Sequence, residues 1–102
     1  MDERRNHYRK PVSLPATLEF DEGERVPGRC TDLSLGGAFI ETELSVPYES
    51  RVRIFLELPG RPLTIDAIVR WNKEDGMGMH FGTMGVKDTY ALTEYLARAG
   101  TY

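Results

Sequence analysis

The stretch RVRIFLELPGRPLTIDAIVRW, residues 51–71, alternates apolar and polar side chains on both sides of a central Pro59-Gly60 pair. Alternation with a period of two directs successive side chains to opposite faces of a β-strand, and Pro-Gly marks a tight turn. One strand is therefore predicted over residues 52–58, and a second is predicted to return over residues 63–71. The apolar side chains of the returning strand are Leu63, Ile65, Ala67, Val69 and Trp71. This pair predicts an antiparallel hairpin with one buried face.

Further segments show the same alternation or are bounded by turn residues, and together with the hairpin they make six short strands. These segments are residues 14–20, 25–32, 38–42 and 77–81. Six short strands with regularly spaced turns predict an all-β fold, a small antiparallel barrel or sandwich. Pro15 lies inside the first strand, and because proline cannot donate to a strand ladder it predicts an edge strand.

The period changes after Gly85. Apolar side chains recur at helical spacing on one face of a predicted helix over residues 86–98, namely Leu92, Tyr95, Leu96 and Ala99. Gly100 is placed to end the helix. We expect this C-terminal helix to cover the barrel, and an interaction helix for a partner is the alternative.

Composition excludes several classes of protein. The chain has 102 residues, a size that predicts one domain, and a net charge of −3, which argues against a general nucleic-acid binder. No stretch approaches the roughly 18 apolar residues of a transmembrane helix, and the polar start does not resemble a secretory signal. The lone Cys30 excludes an internal disulfide and is expected to be a small buried strand residue. These features predict a cytoplasmic protein without membrane insertion.

Catalytic and metal-binding groupings are missing from the sequence. His7 and His80 are the only histidines, and each is expected to be solvent-facing or packed rather than a general base. Ser34 is outside any G-x-S-x-G motif, and the Gly76-Met77-Gly78 segment lacks the strand–glycine–helix context of a phosphate-binding loop. We therefore expect no enzyme activity, no catalytic residue and no metal site.

Two segments carry binding chemistry instead. The first is a short cationic arm within the first ten residues, where Arg4, Arg5 and Arg9 accompany Lys10 against two acidic residues. The second brings a carboxylate, a hydroxyl and two glycines to the start of a strand: Asp32, Ser34, Gly36 and Gly37. Guanidinium groups pair with phosphate or with guanine and stack on bases, and glycine permits close approach of a ligand.

Each feature also has a simpler interpretation. The arm could be a solvated tail, and the second segment could be a strand–turn–strand connection with Asp32 in an Asx-turn. Asp32 is suited either to accept from guanine N1–H and N2–H or to hold an arginine in place. Taken together, the two segments fit a guanine nucleotide with accessible phosphate.

The ordered pair of motifs, Arg5-x-x-x-Arg9 and Asp32-x-Ser34-x-x-Gly37, resembles the PilZ domain, the bacterial cyclic di-GMP receptor family. Later segments are similar too, including residues 37–42, Val69-Arg70-Trp71 and residues 76–81. The resemblance implies a six-stranded antiparallel β-barrel with a C-terminal helix and a flexible N-terminal arm that wraps over the ligand. It further implies ligand contacts from Arg4, Arg5, Arg9, Asp32, Ser34, Gly36 and Gly37. Trp71 is interpreted as a core or rim aromatic and is not assigned to the site.

The resemblance leads to specific expectations about organisation and function. Residues 1–12 form the arm, and residues 13–102 form the barrel with its helix. The chain is expected to be a cyclic di-GMP-binding regulatory adaptor that signals to an unidentified effector protein through ordering of the arm. Because Arg4 directly precedes Arg5, two nucleotides per chain are expected. The alternative is a protein-interaction module on motility or secretion machinery that binds no nucleotide. A single-stranded nucleic-acid binder ranks last, because no stripe of alternating aromatic and basic residues is present.

Overall fold

Six alternating stretches form strands in the computed structural model, which describes residues 9–44 and 46–99. The elements are β1 (Lys10–Phe20), β2 (Arg25–Leu33), β3 (Gly37–Glu41), β4 (Arg51–Leu58), β5 (Arg61–Lys73), β6 (Gly76–Phe81) and α1 (Val86–Ala99). All neighbouring strands pair antiparallel, and they close into a barrel in the order β1-β2-β3-β6-β5-β4. The predicted six-stranded antiparallel barrel with a C-terminal helix is confirmed.

Glycines make the two tight turns that set the register of the hairpins. Gly60, with φ of 79°, follows Pro59 and brings Leu58 opposite Arg61 between β4 and β5. Gly23, with φ of 89°, closes the turn between β1 and β2. Glycine adopts this left-handed backbone region without the clash that a Cβ would cause.

The barrel interior is filled by the inward-facing half of each alternating pattern. Fully buried aliphatic side chains of four strands meet there, including Leu18, Ile40, Ile54 and Ile65. No buried polar or charged side chain lies among the described residues. Burial of apolar surface, at about 25 cal/mol per Å², is therefore the main stabilising contribution.

Strand β1 was expected at the edge of the sheet, but closure of the barrel gives it a neighbour on each side. The strand pairs with β2 from Lys10 onwards and with β4 over Ala16–Phe20, so the prediction of an edge strand is wrong for β1 as a whole. Pro15 lies one residue before the pairing with β4 begins, where its missing N–H removes no bond to that strand. Because β1 begins at Lys10, residues 10–12 lie in the first strand rather than before it.

Helix α1 packs its apolar stripe on the barrel. Leu92 and Leu96 are buried in the core, and Tyr95 packs against it. An ion pair between Arg61 and Asp88, at 2.6 Å, joins the β4–β5 hairpin to the first turn of α1. The prediction that the helix covers the barrel is confirmed for these residues, whereas the Ala99 side chain and Gly100 lie outside the described part. In that part, no helix has the length and apolar character needed to cross a bilayer.

Cys30 is fully buried in β2, as predicted, and lies near Tyr95 of α1. Burial raises the pKa of its thiol from 9.0 to about 12, because a thiolate would lose its hydration there. Burial also raises the pKa of Tyr95, with a smaller contribution from the nearby Cys30. The thiol is therefore a neutral core group.

Three irregularities in strand register lie near one end of the barrel. They fall between Pro11 and Leu14 in β1, between Cys30 and Asp32 in β2, and between Val69 and Trp71 in β5. β-Bulges redirect side chains and are common beside functional sites. The irregularity in β5 places Trp71 opposite Gly78 on the outer face, 40% exposed, whereas the alternation predicted the inner face.

Candidate functional site

The second arginine of the first motif contacts the carboxylate of the second motif. The Nε of Arg9 donates to Oδ2 of Asp32 at 3.1 Å, and Nη2 of Arg9 donates to the same oxygen. The two residues are 23 positions apart in the sequence, and both are partly exposed. The structure thus shows Asp32 in contact with an arginine, one of the two arrangements for which its carboxylate is suited. The second oxygen of Asp32 has no bond to a described residue.

Ser34 organises the turn between β2 and β3. Its hydroxyl oxygen accepts from the backbone N–H groups of Gly36 and Gly37, each at 3.1 Å, and its hydroxyl donates to the Gly37 carbonyl oxygen at 3.3 Å. The backbone N–H of Ser34 also donates to that carbonyl, at 2.9 Å. The turn is held by Ser34 rather than by an Asx-turn at Asp32.

The two glycines of the turn have different surroundings. A Cβ at Gly37 would overlap the carbonyl oxygen of Met79 in β6, so the close approach of two strands requires glycine here. A Cβ at Gly36 would meet nothing within 4 Å, and the backbone of Gly36 is not left-handed. The fold therefore requires glycine at position 37 but not at position 36, which leaves Gly36 as an exposed and open point of the turn.

An aromatic surface lies next to the turn, and we call it the aromatic shelf: Phe39 and Trp71 with Gly76 and Gly78 beneath them. The two rings stack with centroids 5.5 Å apart and an interplanar angle of 21°. A Cβ at Gly78 would come within 2.6 Å of Trp71 Cδ2, so glycine allows the indole to lie on β6. The Nζ of Lys73 lies 5.4 Å from the Trp71 centroid and 5.9 Å from that of Phe39.

Strand register connects the shelf to the predicted site. Asp32 is opposite Phe39, Phe39 is opposite Gly78, and Gly78 is opposite Trp71, which forms one outward-facing row across β2, β3, β6 and β5. Sequence reasoning did not include the shelf. Its signal was the G-x-G spacing of Gly76 and Gly78, which leaves alternate outward positions free for aromatic cover.

Five of the seven predicted site residues lie together at this face: Arg9, Asp32, Ser34, Gly36 and Gly37. The other two, Arg4 and Arg5, lie outside the described residues, as does His7. His80 is exposed on β6, which is the first of the two positions, solvent-facing or packed, that were expected for it. No group of three or more His, Cys, Asp or Glu side chains among residues 9–44 and 46–99 has the geometry of a metal site.

The arrangement suits a planar anionic ligand. A guanidinium with free N–H groups, a carboxylate oxygen, an open glycine and an aromatic shelf lie on one continuous outer surface. Arginine forks bind phosphate and base edges, and aromatic rings stack on bases.

Comparisons with known proteins agree with this fold. The sequence profile of the PilZ domain matches residues 3–98. A cellulose synthase catalytic subunit [UDP-forming] from Xanthomonas axonopodis pv. citri is 29% identical over 98 residues, and the match covers 93% of this chain but only 13% of that protein. The chain therefore spans a small part of this relative.

Two solved structures show the same architecture. The PilZ domain of CeSA from a cellulose-synthesizing bacterium has a TM-score of 0.74 at 19% identity, covering 88% of this chain and 95% of that one. The PilZ domain of YcgR from Escherichia coli, solved with c-di-GMP, has a TM-score of 0.72 at 15% identity, covering 90% and 88%. The shared barrel and the family match over nearly the whole sequence lead to one conclusion: the chain belongs to the PilZ domain family.

Proposed function

We propose that this chain binds cyclic di-GMP on the outer face that carries Arg9, Asp32 and the Ser34–Gly37 turn. The contact between Arg9 and Asp32 carries the proposal, because it joins the two family motifs in space. The proposed ligand residues are Arg4, Arg5, Arg9, Asp32, Ser34, Gly36 and Gly37. The YcgR relative, whose PilZ domain was solved with c-di-GMP, supports the choice of ligand.

Arg9 and Asp32 have complementary roles in this proposal. The Nε and Nη2 of Arg9 point to Asp32, so the remaining N–H groups of the guanidinium are available to a phosphate or to the Hoogsteen edge of guanine. Asp32 holds the fork in one orientation and so reduces the rotamer entropy that Arg9 loses on binding. Arg4 and Arg5 add cations from the arm.

The aromatic shelf extends the proposed binding surface. Trp71 is 40% exposed, and stacking of a base on such a ring contributes about 1–3 kcal/mol in nucleic-acid-binding proteins. Phe39 of the shelf is directly opposite Asp32 in the pairing of β2 with β3, so the shelf and Asp32 are neighbours on the outer face. A guanine lying on Trp71 would therefore remain close to the Gly36–Gly37 turn.

The proposed output is regulatory. PilZ domains are receptor modules, and we assign no catalytic step to this chain. Arg9 immediately precedes β1, so a ligand that engages Arg9 also fixes the point where the arm joins the barrel. Ordering of the part of the arm before β1 around the ligand would then present a new surface to an effector protein in the cytoplasm, while the barrel with its helix remains the scaffold.

Calorimetry with cyclic di-GMP tests this function. Wild type should bind, and Arg9→Ala should weaken binding by at least about tenfold, because a charge-assisted contact contributes about 1.5–3 kcal/mol. Arg25→Ala is the matched control: its Nε also contacts a carboxylate at 3.1 Å, that of Glu19, but at the opposite end of β2. No heat with wild type would contradict the proposal and favour an interaction module that ignores the nucleotide.

The number of nucleotides is a separate proposal. Three arginines within six residues offset the phosphate repulsion of an intercalated ligand dimer, so two molecules per chain are expected. Calorimetric stoichiometry should be near two for wild type and near one for Arg4→Leu. A ratio near one for wild type would refute the dimer.

A further inference from the structure

β6 directs only one side chain outward. Its inward positions are Met77, Met79 and Phe81, all buried, and its outward positions are Gly76, Gly78 and His80. The two glycines are covered by the rings of the aromatic shelf. His80 is therefore the one β6 side chain that reaches solvent on the face that carries the proposed site.

The position of His80 is fixed relative to the glycine turn. His80 is opposite Gly37 in the pairing of β3 with β6, and Gly37 has no side chain to cover the imidazole. The backbone N–H of Phe81, the next residue, donates to the Gly36 carbonyl oxygen at 2.8 Å. Direct partners in an antiparallel ladder have Cα atoms about 4.5–5.5 Å apart. The imidazole thus borders the turn on the side away from Asp32.

Strand geometry also puts His80 close to the aromatic shelf. Gly78, on which Trp71 lies, is two residues before His80 on the same face, a distance of about 7 Å along the strand. Asp32 lies two strands away, about 10 Å across the sheet. A ligand that covers Gly37 would therefore have the Arg9–Asp32 pair on one flank and His80 on the other.

The imidazole has no partner within the described protein. The backbone of His80 is paired in the sheet, but no hydrogen bond, ion pair or ring contact joins its imidazole to a residue of the described ranges. On its other side, β5 presents Ile68, which is 36% exposed and offers no polar atom from its side chain. Both ring nitrogens are consequently free to bond with a ligand, since a histidine offers an N–H donor in either tautomer.

We propose that His80 is an additional ligand-contacting residue, which donates a hydrogen bond from its imidazole to cyclic di-GMP bound over the Gly36–Gly37 turn. The proposal rests on the proposed function and extends the site from β2 and β3 onto β6. Phosphate oxygens and guanine O6 and N7 are acceptors that an imidazole N–H can reach from this flank. The imidazole would thus add a hydrogen-bond donor from a barrel strand to the guanidinium donors of the arm.

Binding measurements on three variants test the proposal. His80→Ala should raise the Kd for cyclic di-GMP about five- to tenfold, the effect of losing one hydrogen bond, and His80→Gln should recover part of the loss because it keeps an N–H donor. Thr64→Ala, an exposed outward-facing residue of β5 away from the site, is the control and should bind as wild type does. Since His80 is exposed, none of these variants should alter the melting temperature by more than about 3 °C.

A spectroscopic measurement completes the test. The Cε1–H resonance of His80 should move on titration of wild type with cyclic di-GMP. A wild-type Kd for His80→Ala, or an unmoved resonance at saturation, would overturn the role of His80 while leaving the proposed function intact. Absence of binding by wild type and Thr64→Ala alike would overturn the proposed function, and the role of His80 with it.

Discussion

Gly37 and Gly36 are adjacent in one turn, yet alanine at each should have a different effect. The backbone of β3 approaches β6 so closely at Gly37 that an added Cβ would overlap the Met79 carbonyl oxygen. A backbone atom in a closed barrel cannot move aside alone, so β3 and β6 must separate. That separation would disturb the bonds from Ser34 N–H to the Gly37 carbonyl and from Phe81 N–H to the Gly36 carbonyl.

The loss of stability expected for Gly37→Ala follows from these contacts. Overpacking contributes about 1–3 kcal/mol, and each weakened backbone bond contributes about 1 kcal/mol. We expect the free energy of unfolding to fall by about 2–4 kcal/mol, from a total of about 5–15 kcal/mol for a domain of this kind. Urea denaturation measures this loss, and the melting temperature should fall by at least about 10 °C.

Gly36→Ala is the companion variant. Nothing lies within 4 Å of its added Cβ, so its free energy of unfolding should stay within about 0.5 kcal/mol of wild type. Its Kd for cyclic di-GMP should rise, because the methyl group would occupy the open surface that the ligand needs. Equal stability of the two variants would refute the assignment of a structural glycine and a ligand-facing glycine.

Further variants test other parts of the structure. Asp32→Asn should weaken cyclic di-GMP binding in the wild-type background, and this loss of affinity should largely vanish in an Arg9→Ala background. Calorimetry on the two single variants and the double variant measures both losses, and additive losses would show that Asp32 does not act through Arg9. Cys30 should resist Ellman's reagent at pH 8.5 until guanidinium unfolds the protein. Because the pKa of Cys30 is about 12 in the fold against an ordinary 9.0, unfolding releases its proton between these values, and wild type should lose stability relative to Cys30→Ala as pH rises through that window. Leu92→Ala should lower the free energy of unfolding by about 2–5 kcal/mol, whereas exposed Tyr90→Ala should change it by less than about 0.5 kcal/mol; equal urea midpoints would mean that α1 is not part of the cooperative barrel.

The strands and the helix were predictable because local patterns determine them, whereas local patterns left a barrel or a sandwich open and the resemblance to the PilZ domain implied the barrel. Alternation in residues 51–71 and the Pro59-Gly60 turn suffice for the central hairpin, and the helical spacing of Leu92 and Leu96 suffices for α1. Pro15 was misinterpreted because β1 has a second partner besides β2, the strand β4, which begins more than thirty residues after β1 ends. A proline in a sequence shows that one backbone N–H is missing, but it does not show which strands pair to close a barrel.

The candidate site was only partly predictable, for a related reason. The two motifs name Arg9 and Asp32, but their direct contact depends on the path of the chain into β1. Trp71 was interpreted as a core or rim aromatic. Its outer-face position depends on an irregularity in β5 that the alternation of the sequence does not reveal. His80 gave no signal in the sequence. His80 was identified as a candidate only from the strand register, which places it opposite Gly37.

Backbone NMR titration with cyclic di-GMP tests most directly whether the ligand binds at this face. Wild type should show shifts at the amides of Gly36 and Gly37 and at the indole N–H of Trp71, while the amides of α1 stay in place. A second, mostly apolar groove lies between the β4–β5 hairpin and α1, lined by Leu58, Pro59, Ala91 and Tyr95 among others. Shifts concentrated in that groove, or no shifts at saturating nucleotide, would contradict the account.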